Sequence, residues 1–256
     1  MQQGPSRDGG PPRWVLVTAT AILVQAYAAS AYAGVAVDRT LEALVARGAP
    51  ISIPMQRALQ VLLSHLSWVF LGSGILSAIF HDFFSEGREG RPRWMRLRWR
   101  RRDGAQWAWW ALGGYLVSAF LFNVCDLANQ YMLPSKFFEQ ETVVSQMIQP
   151  EGNDVLSMVV GALAPCVTAP WWEEVLYRGY VLPCVGRLLG LPLPLSVPLS
   201  AVLFSLHHLN VAGALPLLLL GWIWAILYIQ SQNLLVTIII HAMWNSRVFL
   251  GSYLGV

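Results

Sequence analysis

The sequence predicts an all-α protein, a polytopic transmembrane helical bundle of about seven to eight spans. Three observations carry this. Of the 256 residues, 55% are hydrophobic and only 12% are charged, whereas a soluble domain typically carries about 25% charged residues. The mean hydropathy is positive, at +0.49. The apolar residues also come in continuous runs of roughly 16 to 24, close to the ~20 that a helix needs to cross the hydrocarbon core. Runs without alternation argue against a β-barrel. Twelve tryptophans fit the aromatic belts of a membrane–water boundary.

Residues 1–13 are polar and rich in Gly and Pro, and read as a disordered tail. The first apolar run, Trp14 to Val37, is too long for a signal-peptide core and reads as a true span. Further spans are expected at 59–82, 107–123, 155–172, 194–209, 214–230 and 233–250. The chain thus divides into the tail, N-terminal membrane helices over 14–154, and a C-terminal part over 155–250. Pro165, Pro170 and Pro183 interrupt the stretch from 155 to 190, as one kinked helix or two shorter ones. Neither an internal repeat nor a soluble second domain is evident.

Charge sets the orientation. Sixteen of the seventeen basic residues are Arg, Lys136 being the exception, and eight of them lie between Arg88 and Arg102. A basic run between apolar spans reads as a juxtamembrane loop, 83–106, on the cytoplasm-equivalent side, rather than as a nucleic-acid site. The loop at 124–154 carries Asp126, Glu139, Glu141, Glu151 and Asp154 against Lys136 alone, and goes to the opposite side. The three cysteines, Cys125, Cys166 and Cys184, have no metal-ligand spacing and read as small buried hydrophobes.

Against this apolar background three polar patterns stand out. Glu173-Glu174-Val-Leu-Tyr-Arg178 follows Pro-Trp-Trp. On a helix Glu174 and Arg178 are one turn apart and can pair, while Glu173 points about 100° away. Phe204-Ser-Leu-His-His208 and His241-Ala-Met-Trp-Asn245 both have i, i+4 spacing, which puts the end residues of each on one helical face. A charge at mid-bilayer costs at least about 2.5 kcal/mol, so such a set needs mutual partners or a wet cavity. Its chemistry is also sufficient for a hydrolysis. A carboxylate can activate water, a His can share that task or protonate a leaving amine, and a second His with an amide can donate to an oxyanion. Taken singly, the patterns have plainer readings: a salt-bridged helix face, interfacial His207 and His208, a helix-gluing His241, a capping Asn245. His207 fits none of the patterns and reads as structural.

The three motifs, in this order, resemble those of the type II prenyl endopeptidases, the CAAX protease and bacteriocin-processing group, whose pattern is EExxxR, FxxxH and HxxxN. The resemblance covers about 155–250, and every motif position matches. It implies that Glu173 and His208 activate the water that attacks a scissile carbonyl. It implies further that His241 and Asn245 stabilise the oxyanion, and that Glu174 and Arg178 hold the first motif in shape. The implied partners are the bilayer and a membrane protein or lipidated, CAAX-type peptide, with no nucleic acid. The implied chemistry uses no cofactor. Residues 122–126, Phe-Asn-Val-Cys-Asp, and the acidic residues after them resemble plant and algal plastid members, which implies a chloroplast membrane.

Two alternatives remain open at this level. Glu173, His208 and His241 could ligate zinc, although their spacing is unlike the helical His-Glu-x-x-His motif. The chain could also be a non-proteolytic membrane scaffold or immunity protein that retains the constellation. Depth is the sharpest constraint. Seven simple spans put Glu173 near one membrane face and His208 near the other, and a separation beyond about 10 Å excludes a shared water.

Overall fold

The computed structural model describes residues 10–81, 83–84, 106–138 and 154–254. Residues 1–9 of the tail, the Arg-rich run, Glu139, Glu141 and Glu151 lie outside the described residues. Among those described, seven helices and no strands occur. They are α1 (Arg13–Ala46), α2 (Ile53–Ile79), α3 (Gln106–Met132), α4 (Val155–Leu189), α5 (Leu193–His207), α6 (Ala214–Ser231) and α7 (Leu234–Leu254). Six are long and apolar enough to cross a membrane, and α5 is shorter. Large apolar side chains such as Phe70 and Phe120 point outward, which suits lipid as the solvent. The protein is an integral, multi-pass membrane protein. Its three cysteines are free; Cys184 is buried, Cys125 and Cys166 half-buried.

The helices outrun the apolar windows because local signals set their ends. Ser52 caps α2, its hydroxyl accepting from the Met55 amide at 3.2 Å, with Pro54 in the first turn. α3 continues past residue 123 through a polar turn in which the Gln130 amide donates to Asp126 at 2.8 Å. Pro134 follows its end. Asp126 therefore lies in a helix and not in the acidic loop expected from residue 124.

The stretch containing three prolines is one helical run. Within α4, π-helical turns at Ala164–Thr168 and Val175–Val181 alternate with α-helix. A proline inside a helix lacks an N–H donor and crowds the carbonyl a turn earlier. A widened turn relieves that crowding, and such turns recur at functional sites. Glu173 and Glu174 stand near the middle of this run, just before the second π turn.

The chain forms two compact units. One contains α1, α2, α4 up to Trp172 and α7 from Ala242. In it the N-termini of α2 and α4 are tied together. Ser52 donates to Asp154 at 2.7 Å, and Asp154 accepts from the Ser157 amide at 3.0 Å. Hydrogen bonds to the Ser157 side chain and amide, with a further one from Ser52, hold the Asp154 carboxyl below its ordinary pKa.

The other unit contains α3, α4 from Glu173, α5, α6 and α7 as far as His241. Here α6 packs on both α3 and α5. The α5–α6 crossing is close because Gly221 faces the Ala201 backbone, where an added Cβ would stand 3.2 Å from Ala201 Cα. α5 has only 15 residues, about 22 Å, and ends at His208 followed by Leu209 at φ +48°.

Candidate active site

Five of the six singled-out residues fall in this second unit. Glu173, Glu174 and Arg178 come from α4, His208 caps α5, and His241 lies two turns into α7. His208 reaches Glu173 because α5 stops short, which removes the depth conflict of the simple seven-span threading. The Glu173 Oε2 to His208 Nε2 distance is 3.7 Å.

The set divides into an inner and an outer group. The inner group is nearly sealed: the side chains of Glu174, Arg178 and His241 are 0%, 2% and 4% exposed. Glu174 Oε1 accepts from Arg178 Nη1 at 2.8 Å and from His241 Nδ1 at 3.0 Å. Arg178 Nη2 also donates to the Gly221 carbonyl at 3.2 Å. Its guanidinium lies 4.8 Å from the Phe204 ring centre and 5.6 Å from that of Trp224. The buried positive charge therefore has an anion, a carbonyl and two aromatic faces around it, which is how such a charge is tolerated away from water.

The outer group is reachable. Glu173 and His208 keep 16% and 27% side-chain exposure. Glu173 Oε2 is buried and makes no hydrogen bond within the protein. It faces His208 Nε2 at 3.7 Å and His241 Nε2 at 3.9 Å. Both distances are too long for a direct hydrogen bond and suit one bridging water. The protonation pattern follows from the partners. His208 Nδ1 lies 2.8 Å from the Phe204 carbonyl, which can only accept, so Nδ1 carries the proton. In the neutral ring Nε2 is then a bare acceptor aimed at Glu173. His241 Nδ1 likewise donates to Glu174.

The walls are aromatic. Phe204 stands edge-on to His208 (centroids 4.7 Å apart) and Tyr177 (5.1 Å). Trp224 packs on His241 at 4.6 Å, and its indole N–H donates to Ser118 on α3 at 3.1 Å. His207 packs against Tyr177 at 5.9 Å and His208 at 5.8 Å. Sequence reasoning missed Trp224 and Ser118, since a Trp and a Ser in apolar helices carry no spacing signal. Phe204 was visible as the first residue of its motif.

Asn245 belongs to the unit of α1 and α2. Its amide donates to the Pro165 carbonyl at 2.7 Å, at the first π turn. Among the described residues no group of three or more His, Cys, Asp and Glu side chains is arranged to hold a metal ion.

Residues 155–247 match the family model of the type II CAAX prenyl endopeptidases, Rce1-like. This segment is Rce1-like. The matched stretch begins with α4 and carries all three motifs, and the family is one of proteases. Neither a curated protein nor a solved structure matches the chain. Ser118, which holds the Trp224 indole, lies outside the Rce1-like segment.

Proposed function

We propose that the chain is an intramembrane endopeptidase that hydrolyses a peptide bond in a membrane-associated protein, with a lipidated CAAX-type C-terminus as the substrate class. The observation that carries this reading is the convergence of His208 Nε2 and His241 Nε2 on Glu173 Oε2, at 3.7 and 3.9 Å. A water in that gap donates one proton to Glu173 and one hydrogen bond to His208, and its oxygen attacks the scissile carbonyl. Glu173 takes the proton as the C–O bond forms. It gives that proton to the leaving amine as the C–N bond breaks, leaving a free amine and a carboxylic acid that ionises by losing the water's second proton to solvent.

The tetrahedral alkoxide needs donors. His241 is one donor by the HxxxN motif, and Glu174 orients its ring through Nδ1. The HxxxN motif assigns Asn245 as a second donor, a role supported by the motif alone. Glu174 and Arg178 are positioning residues. The mechanism uses no metal. A chloroplast membrane is the location supported by the plastid-like residues 122–126, and a fluorescent fusion in plant cells tests it.

The test separates a peptidase from a scaffold. Purified protein is incubated with a farnesylated CAAX peptide and with its unmodified form, and products are read by mass spectrometry. Release of the last three residues from the farnesylated peptide, faster than from the unmodified one, is expected. Turnover of neither peptide, together with an unchanged set of C-termini in membranes lacking the protein, contradicts the reading.

A further inference from the structure

We propose that Thr237 is a positioning residue of this site, its hydroxyl serving as a third donor to Glu174 and so fixing the ring of His241. Thr237 stands outside the three motifs, one turn before His241 on the same face of α7. It belongs to the same compact unit as Glu174, Arg178 and His241. The effect on turnover rests on the peptidase reading; the effect on Glu174 rests on the contacts alone.

An orphaned oxygen calls for the donor. The fully buried Glu174 has one well-served oxygen, Oε1, which accepts from Arg178 Nη1 and from His241 Nδ1. Its Oε2 is buried and makes no hydrogen bond within the protein. A buried carboxylate left half-satisfied is costly. The neighbouring donors are engaged elsewhere: Arg178 Nη2 holds the Gly221 carbonyl, and the second ring nitrogen of His241 faces Glu173.

Thr237 is placed to fill the gap. Its side chain is fully buried, and its hydroxyl lies within hydrogen-bonding reach of the Glu174 carboxylate. In this structure the hydroxyl donates to the Leu234 carbonyl at 3.0 Å. That carbonyl does not depend on it. Leu234 opens α7, and a helical carbonyl takes the amide four residues on. A hydroxyl has one proton and turns about its Cβ–Oγ bond to suit its surroundings. The proton can therefore pass from a dispensable acceptor to the carboxylate without displacing the helix. Glu174 then has three donors on its two oxygens, and the oxygen that orients His241 is pinned. A valine at 237 fills the same volume and cannot donate.

Two measurements on the detergent-purified full chain test this. In single-turnover and steady-state cleavage of the farnesylated CAAX peptide, Thr237→Val should lower kcat about ten-fold, as for loss of a hydrogen bond to a charged group, with KM unchanged. Thr237→Ser keeps the hydroxyl and should restore kcat. In a Glu174→Gln background, Thr237→Val should lower kcat no further. The second measurement is infrared spectroscopy. The carboxylate stretch that disappears in Glu174→Gln belongs to Glu174; it should shift in Thr237→Val and stay in place in Thr237→Ser, whether or not the peptide is cleaved. Thr237→Ala also removes the hydroxyl and stands in if Thr237→Val does not fold. Unchanged kcat in Thr237→Val, an unshifted band, or Thr237→Ser behaving like Thr237→Val overturns the proposal. A wild type that cleaves no peptide refutes the peptidase reading instead, and the band still decides the role of Thr237.

Discussion

Replacing Arg178 by Met leaves the fully buried Glu174 carboxylate without its charge partner. Arg178 is 1% exposed and Glu174 0%, so water cannot take over. Removing one member of a buried pair costs about 3–5 kcal/mol. The guanidinium also packs on Phe204 and Trp224, and such desolvated cation–π contacts contribute up to about 2 kcal/mol. The double variant Glu174→Gln/Arg178→Met loses those contacts but buries no lone charge. It should therefore be destabilised by only about 2 kcal/mol, less than Arg178→Met alone. Thermal unfolding in detergent, followed by circular dichroism, reads both. The single change should lower the midpoint on the order of 10 °C, and the double change clearly less. A single variant within about 1 kcal/mol of wild type, or a double variant as unstable as the single, refutes the reasoning.

Other outcomes follow from the same contacts. Asn245→Ala strips the Pro165 carbonyl of its donor and should cost about 1–3 kcal/mol of stability; a loss of kcat with unchanged stability instead places the amide on the oxyanion. The Asp154 carboxyl is held below its ordinary pKa by Ser157 and Ser52, so the stabilisation it gives is present above the unfolded value and is lost as pH falls through the folded one. Melting temperature should drop more steeply below about pH 4 in wild type than in Asp154→Asn, and parallel profiles would count against the tie. Trp224→Phe keeps the ring but loses the bond to Ser118; it should lower kcat with little effect on KM, and Ser118→Ala should do the same. Treatment with a strong zinc chelator should leave peptide cleavage unchanged, whereas loss restored by added zinc would put the metal reading first.

The bundle was legible from hydropathy because the bilayer forces every backbone group into a helix. The ends of the helices were less so. Ser52 with Pro54 starts α2 before the apolar window opens, and the Asp126–Gln130 turn carries α3 beyond its close. The motif residues stood out because charge in an apolar run is costly. Their distribution over depth did not. The shortness of α5 depends on Leu209 taking a left-handed turn at φ +48°, which nothing in a Leu foretells. The two π turns of α4 left only a trace, its prolines. His241 was expected to share a task with Asn245, one turn along α7, but its ring engages Glu174 while Asn245 engages Pro165. Spacing along a helix says which residues share a face and not what that face meets.

The central claim is that Glu173 and His208 together activate the attacking water. Single-turnover cleavage of the farnesylated CAAX peptide by wild type, Glu173→Gln and His208→Ala measures this most directly, with folding checked by unchanged melting. Each change should lower the rate at least about 10²–10⁴-fold while peptide binding persists. Both changes together should cost little more than Glu173→Gln alone, because the two groups act on one water. A rate in either single variant within a few fold of wild type contradicts the account.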